Sequence, residues 1–182
     1  MIIHSAISVA WRRSGFALVV PVALVLAMPS PGEAQASVLH PTEICRDHAD
    51  ASIVTFEAAL LEARVRESLR LDEQDDLTCD LVSDLTVLNV RPAGIESLAG
   101  IQNLSGLTAL YVRGTSITDI SALRGLTALT ELRLSSNPGF SNIEPLLDHR
   151  EIDSVSLLDT RVSCANVARL QSNGLFVFSA CQ

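Results

Sequence analysis

The residues of this chain whose types could do chemistry are four cysteines, four histidines and one dense run of carboxylates. Cys45, Cys79, Cys164 and Cys181 stand apart from one another, with no CxxC pair and no histidine at zinc-site spacing, so a metal centre is a poor use for them. Asp72, Glu73, Asp75 and Asp76 are dense enough to raise calcium binding. A calcium loop of the EF-hand kind needs D-x-[DN]-x-[DN]-G spacing and a closing Glu, both absent here, so these four read as a solvated acidic loop. His4, His40, His48 and His149 are scattered, and although Asp47 adjoins His48, no nucleophile can be placed beside them. There is no G-x-S-x-G elbow, no H-E-x-x-H pair and no glycine-rich phosphate cradle. These absences lead us to expect no catalysis, no metal and no cofactor.

What the sequence does carry is periodicity. The stretch Leu107–Asn137 reads LTALYVRGTSITDISALRGL and starts again as LTELRLSSN, a period of 22 residues. Leu107, Leu110, Val112, Ile117, Ile120, Leu123 and Leu126 are apolar at offsets that fit neither a pure strand nor a pure helix. They fit a strand, a turn and a short return. Such a unit cannot bury its apolar edge alone, so copies must stack. An earlier copy runs through Leu85, Leu88, Val90, Ala93, Ile95, Leu98, Ile101 and Leu104. Later ones run through Leu129, Leu132, Leu134 and Asn137, and through Ile152, Val155, Leu157, Thr160 and Val162. Starts at 85, 107, 129 and 152 imply one inserted residue in the third unit, near Pro138-Gly139.

This pattern resembles the leucine-rich repeat family, in its bacterial, internalin-like 22-residue type. The family motif runs L-x-x-L-x-L-x-x-N-x-I-x-x-I-x-x-L. The resemblance implies an α/β fold: a short right-handed solenoid with a parallel sheet on its concave face, a helical N-terminal cap and a small C-terminal cap. It divides the chain into a leader (1–36), an N-terminal cap (37–84), about four repeats (85–163) and a C-terminal cap (164–182). The family's asparagine ladder is held here by Ala93, Thr115, Asn137 and Thr160; threonine can supply part of the bonding and alanine cannot. His149 stands where Leu104 and Leu126 stand in earlier units, and partial exposure near an irregular end is expected of it.

Within that architecture, strand alternation sends Leu88, Val90, Leu110, Val112, Leu132 and Leu134 inward. The intervening side chains face the concave surface in three columns. These are Val87, Ala109, Glu131 and Ser154; then Asn89, Tyr111, Arg133 and Ser156; then Arg91, Arg113, Ser135 and Leu158. Three arginines and the only tyrosine thus fall on one small face of an acidic chain. Tyr and Arg are enriched at binding hot spots, and guanidinium groups grip carboxylates and phosphates. Asn89, Arg91, Tyr111, Arg113, Glu131 and Arg133 are therefore the candidate ligand-binding residues, though exposed strand positions in any solenoid also carry such polar β-formers.

The caps follow. Ser37–Ala49 reads as an irregular lead-in. Asp50–Arg70 reads as a helix capped by Asp50 or Ser52, with Ile53, Phe56, Leu60 and Ala63 as its apolar stripe. At the other end, Ala165–Gln171 reads as a helix with Val167 and Leu170 on one side, Asn173-Gly174 as a turn and Leu175–Phe178 as a final strand. Phe176 and Phe178 are expected to cover the last aliphatic layer. The four cysteines allow three pairings. Cys45–Cys79 and Cys164–Cys181 are favoured, because each pair then lies within one end of the solenoid. Asn103-Leu104-Ser105 is a glycosylation sequon of a length that chance supplies.

Aromatic residues make up 4% of the chain and hydrophobic residues 48%, which suits a core of aliphatic layers. The formal net charge of −8 argues against nucleic acid as a partner, because phosphate binding needs a basic footprint. All 13 basic residues are arginine. Arg12 and Arg13, the apolar run Phe16–Met28, the breakers Pro29, Pro31 and Gly32, and Ala34-Gln35-Ala36 form the pattern of a secretory signal cut after Ala36. The apolar run has 13 residues, short of the roughly 20 a spanning helix needs, so no stable membrane insertion is expected after cleavage. The expected function is that of a secreted or periplasmic, non-catalytic module binding a protein or peptide, an acidic one on the evidence of the arginines. The alternative is a structural envelope or assembly subunit held through its caps or convex side.

Overall fold

The computed structural model describes residues 36–91 and 94–181, so the leader reading (1–36, up to its last residue) and the ladder position Ala93 lie outside the described residues. Five short strands form one parallel sheet in sequential order: β1 (Val87–Val90), β2 (Ala109–Val112), β3 (Glu131–Arg133), β4 (Ser154–Ser156) and β5 (Phe176–Phe178). The register repeats the period. Leu88 pairs with Leu110 and Leu110 with Leu132, 22 residues apart, and Leu132 pairs with Val155 one residue later. The extra residue is taken up at Pro138-Gly139. Buried Asn137 and Phe140 are three apart, where buried Thr115 and Ile117 are two apart, and the Phe140 N–H donates to the Asn137 carbonyl across the turn at 3.0 Å.

Every inward strand residue of β1 to β4 is fully buried, among them Leu88, Leu110, Leu132 and Val155. The returns supply the opposite wall: 3-10 turns at Ile101–Asn103 and Ser121–Gly125, then the short helix α3 (Glu144–Leu147). Thr115 and Asn137 form a buried rung at the strand ends. The Thr115 hydroxyl donates to Asn137 Oδ1 at 2.5 Å, and Asn137 Nδ2 donates to the Val112 and Leu134 carbonyls at 2.9 Å each. Thr160 bonds only within its own turn, to the Leu157 carbonyl at 2.8 Å.

The N-terminal cap differs from the expected helix. Helix α1 spans Ala59–Leu69, so it begins nine residues later than the sequence reading and ends one earlier, and it buries Leu61 and Val65 while Leu60 and Ala63 face outward. Residues 52–56 are extended instead, with Ser52, Val54 and Phe56 buried and Ile53 bridging both Val38 and Thr78. The Ile53-Val54-Thr55 run is β-branched, which disfavours helix and favours a pleated strand. The spacing of Ile53, Phe56 and Leu60 fits helix period, but the alternation through Val54 and Phe56 is what packs. Thr78 caps the second short helix, α2 (Cys79–Ser83), accepting from Leu81 N at 3.4 Å.

The cap is fitted closely to the first repeat. A Cβ at Gly100, where φ is +104°, would come within 2.6 Å of the Thr55 carbonyl oxygen and the Phe56 ring. Glycine is thus required there by both conformation and space. Disulfides join Cys45 to Cys79 and Cys164 to Cys181, with Cα separations of 5.5 and 5.4 Å.

Asn103 has a structural role. It is 2% exposed, its Oδ1 accepts from Cys45 N at 2.7 Å and its Nδ2 donates to the Glu43 carbonyl at 3.1 Å, so the sequon is closed to modification. Asn103→Ala removes the acceptor of the Cys45 amide and one of two side-chain donors to the Glu43 carbonyl, the other being Gln102, and is expected to cost about 1–2 kcal/mol, with the lead-in amides losing hydrogen-exchange protection before the sheet does. His149 is likewise buried, at 6% exposure, rather than partly exposed as expected. It fills the leucine position of its layer because Nε2 reaches the Leu123 carbonyl at 2.6 Å, which satisfies the polar ring.

At the other end, Ser163 caps helix α4 (Cys164–Ser172), which buries Val167 and Leu170. Strand β5 then joins the sheet with Val155 opposite Val177. Phe176 and Phe178 do not cover the last layer: they are 63% and 53% exposed on the concave face. Continuing the 22-residue register from Val155 lands Val177 on the inward position, which forces both neighbours outward.

Candidate functional site

The outward strand residues form two paired rows. Val87, Ala109, Glu131, Ser154 and Phe176 lie across the sheet in one, and Asn89, Tyr111, Arg133, Ser156 and Phe178 in the next. Beyond the strand ends come Arg91, Arg113, Ser135 and Leu158. All six candidate residues, Asn89, Arg91, Tyr111, Arg113, Glu131 and Arg133, line one groove of about 610 Å³. Stacking does this without any special loop: each side chain occupies an ordinary outward position, and the parallel register brings residues 22 apart side by side.

Glu131 organises the middle of the groove. Its Oε2 accepts from the Tyr111 hydroxyl at 2.9 Å, and its Oε1 accepts from Arg133 Nε at 2.8 Å and faces Nη2 at 2.6 Å. The Arg133 guanidinium lies over the Tyr111 ring, 4.7 Å from its centroid, in cation–π contact. Glu131, Arg133 and Tyr111 thus brace one another. Glu131 is a support for the two aromatic and cationic groups, and one of the three guanidinium charges is already matched. Arg91 and Arg113 form no ion pair and no side-chain hydrogen bond among the described residues. They are the groups that can bind an anionic ligand.

The phenol of Tyr111 is pushed above its ordinary pKa. The hydrogen bond to Glu131 is the main cause, burial and the Glu131 charge add to it, and Arg133 opposes it. A raised folded value means that the phenol's contribution to stability is intact below the unfolded pKa and is lost as pH rises through the folded one. Because Tyr111 is the only tyrosine, an absorbance titration reads it directly. The midpoint is expected above that of free tyrosine and is expected to fall in Glu131→Gln; a midpoint at or below the free value would contradict the Glu131 contact.

Sequence reasoning missed the aromatic end of the groove. Phe178 lines it together with Leu158 and Asp159, and Phe176 packs edge-on against Phe178 at 4.8 Å between ring centroids. The repeat period was the available signal. A larger groove, of about 870 Å³, lies between the lead-in and the outer turns. Its charged lining is five carboxylates (Asp50, Glu57, Asp80, Glu96, Asp119) and two arginines (Arg46, Arg124), spread along its length with no convergent set. The acidic loop folds on itself, with Asp75 Oδ2 accepting from Asp72 N at 2.7 Å and Arg66 donating to both of their carbonyls. Among the described residues no helix is long and apolar enough to cross a membrane.

Residues 105–148 match the family model for leucine-rich repeats, in two copies. A comparison with curated proteins finds no match. Among solved structures the chain is similar to internalin C2 of Listeria monocytogenes, with 19% identity and a TM-score of 0.39 over 66% of this chain and 73% of that one. It is similar to a second internalin of that organism, inlF, with 22% identity and a TM-score of 0.39 over 66% of this chain and 50% of that one. A third is a structure of CBM51-2 and INT domains from Clostridium perfringens ZmpB, with 23% identity and a TM-score of 0.41, matched over 44% of this chain and 17% of that one. The chain therefore spans half of inlF and under a fifth of the ZmpB fragment. The 22-residue register, the sequential parallel sheet and the buried Thr–Asn rung give the chain the fold of a leucine-rich repeat solenoid, and residues 105–148 carry the sequence match to that family's model.

Proposed function

We propose that this chain is an exported, non-catalytic recognition module that binds a protein or peptide across the strand-bearing face of its repeats. The observation that carries the reading is the convergence of three arginines and the sole tyrosine in one groove of a chain whose net charge is −8. Arg91 and Arg113 supply unmatched donors for carboxylates, while Tyr111, held by Glu131 and Arg133, offers a rigid aromatic surface at low entropic cost. Two disulfides support a life in an oxidising compartment, the periplasm or the outside of the cell, in keeping with the leader pattern at 1–36. In this reading 37–84 and 164–182 are caps that seal the repeats at 85–163. A sheet of five short strands offers a small face, and interfaces below about 1,200 Å² are commonly weak, so several copies acting together suit it.

The test is an affinity capture from envelope and extracellular extract with the oxidised chain. A parallel bait carries Arg91→Ala, Tyr111→Ala, Arg113→Ala and Arg133→Ala, with its fold checked by circular dichroism. A partner held by the wild type and lost by the variant is the expected result. A partner held equally by both would move the interface to the caps or convex side, as an assembly subunit requires.

A further inference from the structure

The groove has two chemically different ends. Asn89, Arg91 and Arg113 lie at one, Leu158 and Phe178 at the other with Asp159 beside them, and all six border the same continuous space; the Asp159 carboxylate turns an acidic ligand group away from the apolar end and toward the arginines. The middle is closed on itself by Glu131, so a ligand meets cations at one end and apolar surface at the other. Leu158 is 43% exposed, and the T-shaped Phe176–Phe178 pair extends that apolar surface to the last strand. Contiguous exposed apolar surface rimmed by polar residues is a feature of interaction sites.

Resting on the recognition reading above, we propose that the groove selects an extended peptide segment in which an acidic residue and a large apolar residue lie four positions apart. The spacing follows from the sheet. Arg113 stands at the end of β2, Leu158 at the end of β4 and Phe178 on β5, two and three strand steps away. Steps of about 4.8 Å make this about 10–14 Å, the rise of three to four extended residues at about 3.3 Å each, and of those separations only four puts both side chains on the same face of the extended chain. Charge narrows the ligand further. Two unmatched guanidiniums suit one or two carboxylates, whereas a polyanion needs many phosphate contacts and would be repelled by the acidic remainder of the chain. A free small acid would leave the apolar end open to water.

The test is selection of a displayed library of random twelve-residue peptides on the full chain, exported so that both disulfides form. Three variants are run beside it: Arg91→Gln with Arg113→Gln, Leu158→Ser with Phe178→Ser, and the fourfold alanine variant. Enriched peptides are expected to pair Asp or Glu with Phe, Leu, Ile or Trp at a separation of four, in either direction. Each double variant is expected to weaken them at least tenfold, the first removing the acidic preference and the second the apolar one. Peptides that bind the groove without this spacing, shown by loss in the fourfold variant alone, would overturn the motif and leave the recognition face standing. Peptides that bind all variants equally, or a selection that enriches none, would overturn both.

Discussion

Asn137→Ala is expected to lower the unfolding free energy by about 3–5 kcal/mol, since each buried group left without its partner costs about 1–3 kcal/mol. Asn137 is fully buried, and its amide meets the Thr115 hydroxyl, the carbonyls of Val112 and Leu134 at 2.9 Å each and, at 3.4 Å, that of Ser135. The first two carbonyls end β2 and the run after β3, where the chain leaves the sheet and no neighbouring strand residue takes over. Their loss should unlatch the second repeat from the third. Urea unfolding would read it as a fall in midpoint with little change in slope. Thr115→Val, which removes one donor and keeps the shape, should cost about 1 kcal/mol. A loss below about 1 kcal/mol in Asn137→Ala would mean the rung does not hold the stack.

Removing the Cys45–Cys79 bridge is expected to destabilise the chain by about 3–4 kcal/mol, and removing Cys164–Cys181 by about 3 kcal/mol. In the chain-entropy model the cost grows with the loop closed, and the separations are 34 and 17 residues. The first bridge does more than shorten the unfolded chain. It ties the stretch around Cys45, whose neighbours Pro41 and Glu43 are held by Gln102 and Asn103, to helix α2 beneath the first repeat. Double serine variants at each pair, compared by thermal unfolding, should therefore differ in order as well as size. Without the first bridge, the cap and β1 lose exchange protection ahead of the rest. Equal, small losses from both would show that packing alone seals the ends.

The parts of the fold that sequence made legible are those governed by the period. Leucine and valine 22 residues apart place β1 to β4 in register, and the outward columns follow by alternation, so the six groove residues could be named. The extra residue at Pro138-Gly139 was visible for the same reason. Legibility fails where two periods compete or where a single side chain changes role. Ile53, Phe56 and Leu60 satisfy helical spacing, while Val54 and Phe56 satisfy strand spacing, and tertiary packing decides for the strand. His149 gives no sign in sequence that the Leu123 carbonyl waits for it, nor Asn103 that it holds the lead-in. Phe176 and Phe178 read as cover for an end, because large apolar residues at a terminus usually are. Only the register from Val155 to Val177 turns them outward. Glu131 was legible as a groove residue, but its bracing of Tyr111 and Arg133 depends on side-chain reach, which period does not encode.

The most direct test of the proposed recognition face uses the tyrosine at its centre. Ring resonances of Tyr111, the only tyrosine in the chain, are followed by NMR as the partner captured by the wild type is added. These resonances and the side-chain Nε signals of Arg91, Arg113 and Arg133 are expected to shift with saturation, while methyl signals of the outer turns, such as those of Ala122 and Leu147, stay in place. Saturable binding that leaves the Tyr111 ring unmoved and shifts the outer-turn methyls would contradict it.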